Sequence, residues 1–259
     1  MLRYKPGTLN DTAFRRVILE FVIYHDYSSS ITSLDNPLDT RSHALMDEFK
    51  LPEYMIQPQA GTLLGVLDGL FAFISRIRSL RDTIRGWNKR GIPFWSSSDF
   101  TKIKAQVDDL QQRIQDWVPN CAPDSPRYEA SLLYRQCTHI YLLRTVSLCR
   151  PQDMEMYRTA VEEGLRHLRK LPWDMDEIST QSILLMPLFL LGCAAFDPQQ
   201  RPEIDDAFQR LQDWSNFGNI KNSRLIIQEL WRMMDNGQAE QTWDWETIMD
   251  EKKMYFLVT

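Results

Sequence analysis

Apolar residues recur through most of this chain at spacings of three and four, the period of one face of an α-helix. The clearest run comprises Ile103, Val107, Leu110, Ile114 and Trp117. Similar patterns predict helices at 14–27, 63–80, 99–117, 128–149, 153–171, 177–196, 202–214, 227–234 and 243–250, with a shorter candidate at 41–49. We find no pair of segments that alternates as two adjacent strands would. The pattern predicts an all-α protein, an irregular array of about nine helices.

The most hydrophobic stretch of the sequence runs from Ile183 to Phe196. It is too short to span a bilayer comfortably, because a membrane helix needs about 20 apolar residues. We therefore expect the central buried helix of the protein here, with residues 184–191 in the core. Pro187 should bend that helix, since proline lacks a backbone N–H and crowds the preceding turn.

The proline-rich segment from Pro119 to Pro126 is a candidate internal boundary. Neither half of the chain, however, carries a self-sufficient set of helices. The expected organisation is an N-terminal tail at 1–13 and a single helical domain at 14–259.

Composition and charge narrow the functional classes. The net charge of −5 argues against a chain that grips a nucleic-acid backbone by itself. The cysteines, Cys121, Cys137, Cys149 and Cys193, are too widely spaced for a zinc cluster and suit free thiols in a reducing compartment. We predict no metal site, no cofactor and no membrane span.

Basic residues cluster at Arg76, Arg78, Arg81, Arg85, Lys89 and Arg90. Cations near the C-terminus of a helix complement its dipole, so the expectation is a solvent-facing helix end. His167 and Glu163, four residues apart, are likewise expected to form a surface pair.

No nucleophile motif or phosphate loop is recognisable, and the catalytic residues are unknown. A few polar or aromatic residues interrupt otherwise apolar helices and are the candidate lining of a pocket. They are His25, Asp26, Tyr134, His139, Tyr141 and Arg144.

Sequence blocks in four regions match a known pattern in the expected order. The blocks are YHDYSSSIT at 24–32 with NP at 36–37, 63–66 with 74–81, 183–196 with Arg201, and 229–231 with 244–249. Together they resemble the regulatory, C-terminal domain of fungal zinc-binuclear-cluster transcription factors.

The resemblance implies an α-helical domain that controls activity through ligands or partners. In that family a six-cysteine, two-zinc module, a basic linker and a coiled coil read DNA, and no residue of this sequence matches them. DNA binding therefore does not carry over. Because the matching begins close to Met1, the earliest helices of the domain are also expected to be missing.

The sequence leaves three hypotheses. The first is a nuclear, transcription-regulator-like protein that works through a protein partner or small hydrophobic effector, with DNA contacted only indirectly and homodimerisation an option. The alternative is a small-molecule-binding protein or enzyme of a fungal secondary-metabolite pathway, in the cytoplasm. The third is a degenerate product with no activity of its own. A buried polar set around one large pocket would favour the alternative, and an exposed apolar patch the regulator.

Overall fold

The computed structural model describes residues 24–34, 69–91, 100–119, 121–147, 151–173 and 183–258. Residues 24–32 are helical. Eight α-helices follow: α1 (Leu70–Lys89), α2 (Phe100–Asp116), α3 (Pro126–Val146), α4 (Met154–Leu168), α5 (Leu185–Ala194), α6 (Arg201–Trp214), α7 (Gly218–Asp235) and α8 (Trp245–Glu251). Short 3-10 turns occupy Pro151–Asp153, Pro198–Gln200 and Ala239–Asp244. The described ranges contain no strand, which confirms the all-α prediction.

Helix α3 lies at the centre of the domain. It packs against α1, α2, α4 and α5, and α5 in turn packs against α6 and α7. Leu133, Cys137 and Ile140 of α3 have no exposed surface. One continuous cluster of buried side chains extends from Tyr24 to Val258, so the described helices form a single helical domain.

Helix α5 is buried on every side, as predicted, and it begins two residues before Pro187. All ten of its residues, from Leu185 to Ala194, are buried. Pro187 is the third residue of the helix, where a backbone N–H has no partner within the helix. The expectation of a longer helix that passes through Pro187 is therefore wrong, because α5 begins beside the proline. Residues 177–182, where the predicted helix started, lie outside the described residues.

Two glycines lie where α5 packs closely against α7 and α4. A Cβ atom on Gly192 would lie 2.7 Å from Cγ2 of Ile227 on α7. A Cβ atom on Gly164 of α4 would lie 2.5 Å from Cδ2 of Leu191. Both distances are shorter than real carbon–carbon contacts. At Gly164 the Leu191 side-chain end could shift, whereas at Gly192 two further atoms of the β-branched Ile227 lie at 2.9 and 3.0 Å, so that crossing depends more strongly on glycine.

Helix α1 extends further than the sequence pattern predicted. It continues past the predicted end at residue 80, through Gly86, to Lys89 and stops near Gly91, which has a φ of 66°. At its other end Gly69 is the N-cap with a φ of 91°, and residues 63–68 lie outside the described residues. Helix α7 similarly begins at Gly218, which the sequence placed after the end of α6.

Several sequence predictions fall where the structure gives no description. These are the tail at 1–13, most of the helix at 14–27 and the short helix at 41–49. The boundary between residues 13 and 14 therefore stays a prediction. In the described part of the chain, no helix is long and apolar enough to cross a membrane.

Candidate functional site

The six predicted pocket residues lie in three separate places. His25 and Tyr134 belong to an aromatic cluster where residues 24–32 meet α1 and α3. The ring of His25 is 5.4 Å from that of Tyr24, and the ring of Tyr134 is 5.8 Å from that of Phe71. The Tyr134 hydroxyl donates to the backbone carbonyl of Ile183. Burial raises the pKa of Tyr134 well above its usual value.

Asp26 is exposed beside this cluster. Burial lowers the pKa of the neighbouring His25, and the Asp26 carboxylate partly offsets that shift. His25 and Asp26 therefore belong to a helix, residues 24–32, whose tyrosine rings pack against Phe71 of the core.

Tyr141 and Arg144 lie at the other end of α3, against Trp245. The Tyr141 and Trp245 rings are 6.1 Å apart, and the Arg144 guanidinium carbon is 5.4 Å from the Trp245 ring centroid. Arg144 Nη2 donates to the carbonyl of Thr242 at 2.5 Å. Burial raises the pKa of Tyr141 to about 12. Both residues therefore join α3 to the C-terminal segment rather than line a cavity.

The prediction that the basic cluster of α1 faces solvent is wrong for three of its six residues. Arg78, Arg81 and Arg85 are buried, whereas Arg76, Lys89 and Arg90 are exposed. Arg81 forms a two-pronged ion pair with Glu246 of α8: Nε to Oε1 is 2.7 Å and Nη2 to Oε2 is 2.6 Å. Arg85 Nη2 lies 2.9 Å from Oε1 of the same carboxylate and 3.0 Å from Asp244.

Arg78 extends this arrangement to the first described helix. Its Nη1 donates to the carbonyls of Ser30 and, at 2.6 Å, Ser33, and its Nη2 donates to Leu34 at 3.1 Å. Its Nε bonds Asp82, one turn further along α1, at 2.9 Å. We call Arg78, Arg81, Arg85, Asp82, Asp244 and Glu246 the arginine network.

Two tryptophans cover the centre of the arginine network. The Arg81 guanidinium carbon is 3.8 Å from the Trp245 ring centroid and 4.3 Å from that of Trp243. Burial alone would raise the pKa of Glu246, but the charges and hydrogen bonds of Arg81 and Arg85 lower it to about 2. The network has three arginines and three carboxylates, so its charges balance and it offers no vacant anion site.

His167 also departs from its predicted surface position. Its side chain is buried, with Nδ1 2.8 Å from Glu129 of α3 and Nε2 3.3 Å from Glu163. It therefore links α3 to α4. Nowhere in the described residues do three His, Cys, Asp or Glu side chains come together as a metal site would require.

His139 opens instead on a groove between α2, α3 and α4, with a volume of about 1000 Å³. Ile114, Leu143 and Ala160 contribute apolar surface, and Arg135 and Gln136 stand beside His139. Burial, and then the charge of Arg135, lower the pKa of His139, so its ring is neutral at pH 7. The size lies within the range of small-molecule sites.

The sequence reading missed Arg135 and Gln136. The available signal was their spacing: Arg135 stands one helical turn before His139 on a helix that is otherwise largely apolar. Of the six predicted residues, His139 is the one that the structure places in this groove.

Comparison with known proteins gives a consistent identification. The sequence model of the family described as the fungal specific transcription factor domain matches residues 1–259. A similar curated protein is an uncharacterized transcriptional regulatory protein of Schizosaccharomyces pombe, 26% identical over 163 residues. That match covers 54% of this chain and 30% of the relative. No solved structure matches. The chain belongs to the fungal specific transcription factor domain family.

Proposed function

We propose that this chain is a transcription-regulating domain that acts in the nucleus through a protein partner or a small effector. The observation that carries the proposal is the family match over the whole chain. The fission yeast relative, described as a transcriptional regulatory protein, supports the same role. Contact with DNA is then indirect and supplied by a partner, in keeping with the net charge of −5.

The fold offers two features that suit such a domain. The arginine network ties residues 24–34 and the C-terminal helix α8 to α1. The groove beside His139 lies on the other side of α3 and has room for an effector. A ligand bound between α2, α3 and α4 would stabilise one arrangement of these helices.

A tethering experiment tests the proposal. The full chain is fused to a heterologous DNA-binding module, and transcription of a reporter carrying that module's site is measured in a fungal host. We expect reporter transcription to differ from that given by the module alone. An unchanged reporter, with the fusion present in the nucleus at equal abundance, would contradict the proposal.

The second candidate is a small-molecule-binding protein or enzyme of a secondary-metabolite pathway, and the presence of His139 in the groove favours it. Deletion of the gene separates the two. A regulator changes transcript levels, whereas a metabolic protein changes the metabolite profile while transcript levels stay fixed.

A further inference from the structure

We propose that the groove between α2, α3 and α4 binds a small organic acid with an apolar chain, whose carboxylate pairs with Arg135 beside His139. This inference names the class of effector and so rests on the proposed function. It is argued from the charges, the polar atoms and the apolar surface of the groove.

The charge argument begins with the acids of the groove, which are already engaged. Glu162 lies 2.7 Å from Arg169, and Glu163 lies 2.5 Å from Arg166. Arg166 belongs to α4, and Arg169, just past its end, also bonds Glu203 of α6 at 2.7 Å. Each of the two carboxylates therefore has a cation at ion-pair distance, which weakens its negative field in the groove.

The two arginines that line the groove differ in their partners. Arg158 lies 3.3 Å from Asp197 and 3.5 Å from Glu155. Arg135 donates one hydrogen bond, from Nη1 to the carbonyl of Trp117 at 3.2 Å, and faces no carboxylate among the described residues. Its guanidinium keeps further N–H donors, and a carboxylate is the partner that this planar group binds best.

His139 adds a second polar group one helical turn away. Its Nε2 is buried and has no hydrogen-bond partner within the described ranges. Rotation of the imidazole about its soft outer torsion brings a ring N–H to a ligand oxygen in the groove. Gln136 is already engaged, since its amide donates to the carbonyl of Ala160 at 2.8 Å and holds α3 to α4.

The rest of the groove suits an apolar chain. Ile114 and Leu143 supply buried hydrocarbon from α2 and α3. Met156 of α4 is 37% exposed at the same groove, and its unbranched thioether can follow ligands of different shape. The occupant is therefore a molecule with one anionic end and one apolar end.

Three probes of equal length and different charge test this inference: octanoate, octanamide and octylamine. Each is titrated into the full chain by calorimetry. We expect octanoate to bind about tenfold more tightly than octanamide, the scale of one charge-assisted hydrogen bond, and octylamine most weakly. Equal affinity for octanoate and octanamide, or tighter binding of octylamine, would overturn the proposal.

Matched variants assign the effect to Arg135. Arg135→Gln should reduce octanoate affinity to that of octanamide and leave octanamide affinity unchanged, which also shows that the groove is intact. Arg158→Gln removes an arginine that already has acidic partners and should change octanoate affinity less than twofold. If Arg158→Gln costs as much as Arg135→Gln, the assignment is wrong.

Variants of His139 test whether its imidazole contributes a hydrogen bond to the carboxylate of the ligand. His139→Gln keeps a side-chain N–H donor and should retain more octanoate affinity than His139→Leu, whereas equal losses would remove His139 from the site. Failure of the inference is separable from failure of the proposed function. If no probe binds while the tethered chain still regulates the reporter, the groove is a protein interface or empty and the regulatory role stands.

Discussion

The arginine network and the groove present the same residue type in opposite states. In the network, Arg81 is fully buried, yet it is enclosed by Glu246 and two indole rings. In the groove, Arg135 is only partly buried and has a single backbone carbonyl as its partner among the described residues. The more deeply buried cation thus has more polar partners, although Arg81 Nη1 has none among the described residues.

This contrast distinguishes arginines that stabilise the fold from an arginine that is available to bind a ligand. A buried charge is tolerated only when it is paired and hydrogen-bonded, so a buried arginine that pairs with carboxylates of another helix is a group that holds the fold together. A cation left with spare donors in a concave, partly apolar site can still bind a ligand. The predictions below test whether the two regions differ in this way.

The largest loss of stability should follow from a charge placed where no partner exists. Leu188→Asp puts a carboxylate into α5 at a position with no exposed surface. We expect a loss of about 4 kcal/mol in the free energy of unfolding, or failure to fold. Leu225→Asp, at a residue that is 45% exposed, is the control and should cost little. Similar urea midpoints for both variants would contradict the assigned core.

Glu246→Gln should have the next largest effect. It keeps the shape of the side chain but leaves Arg81 and Arg85 without their shared carboxylate. Breaking a buried pair by removing one partner costs about 3–5 kcal/mol. Glu229→Gln removes a surface carboxylate paired with Arg232 and Lys252, and should cost less than about 1 kcal/mol. Urea unfolding of both variants measures the difference.

The same carboxylate should make stability depend on pH. The pKa of Glu246 in the folded protein is about 2, below the ordinary value of 4.5. A lowered pKa stabilises the fold above the ordinary value, and that contribution is lost as pH falls from about 4.5 towards 2. The stability difference between wild type and Glu246→Gln should therefore shrink over this range. Other carboxylates cancel in the comparison, so a constant difference would contradict the assignment.

Much of the fold was predictable because the apolar spacing of a helix is visible within a short stretch of sequence. The apolar residues Ile103, Leu110 and Ile114 predicted α2, and all three are buried. The predicted helix at 128–149 corresponds to α3, which begins after Ser125, whose hydroxyl accepts from Tyr128 N–H at 3.2 Å. The wrong predictions concern residues whose conformation is determined by the residues that pack around them. Gly86 continues α1 although glycine weakens helices, because Arg85 and Trp87 on either side of it are buried.

The candidate sites were less predictable because their partners are distant in sequence. Arg81 and Glu246 are separated by 165 residues, and no periodicity links them. Without that partner, three arginines on α1 look like an ordinary basic helix end. His139 was identified as a polar interruption of an apolar helix, but its separation from Tyr134 and Tyr141 depends on how α2 and α4 pack around α3.

The smallest predicted effects on stability concern two polar residues of α3, Tyr134 and His139. Tyr134 and His139 both place polar atoms in the interior, but the Tyr134 hydroxyl is bonded to Ile183 and the His139 Nε2 has no partner in the described part of the chain. Tyr134→Phe should cost about 1 kcal/mol, because it leaves a buried carbonyl without its donor. His139→Leu removes an atom that gains nothing from the fold, so the ligand-free chain should keep its stability or gain slightly.

Thermal and urea unfolding of these two variants without ligand provide the measurement. A loss for His139→Leu that matches or exceeds the loss for Tyr134→Phe would mean that His139 supports the fold. The imidazole would then belong with the arginine network as a structural group. A neutral effect in the ligand-free chain, together with a loss of octanoate affinity, would instead show that the groove keeps His139 for binding.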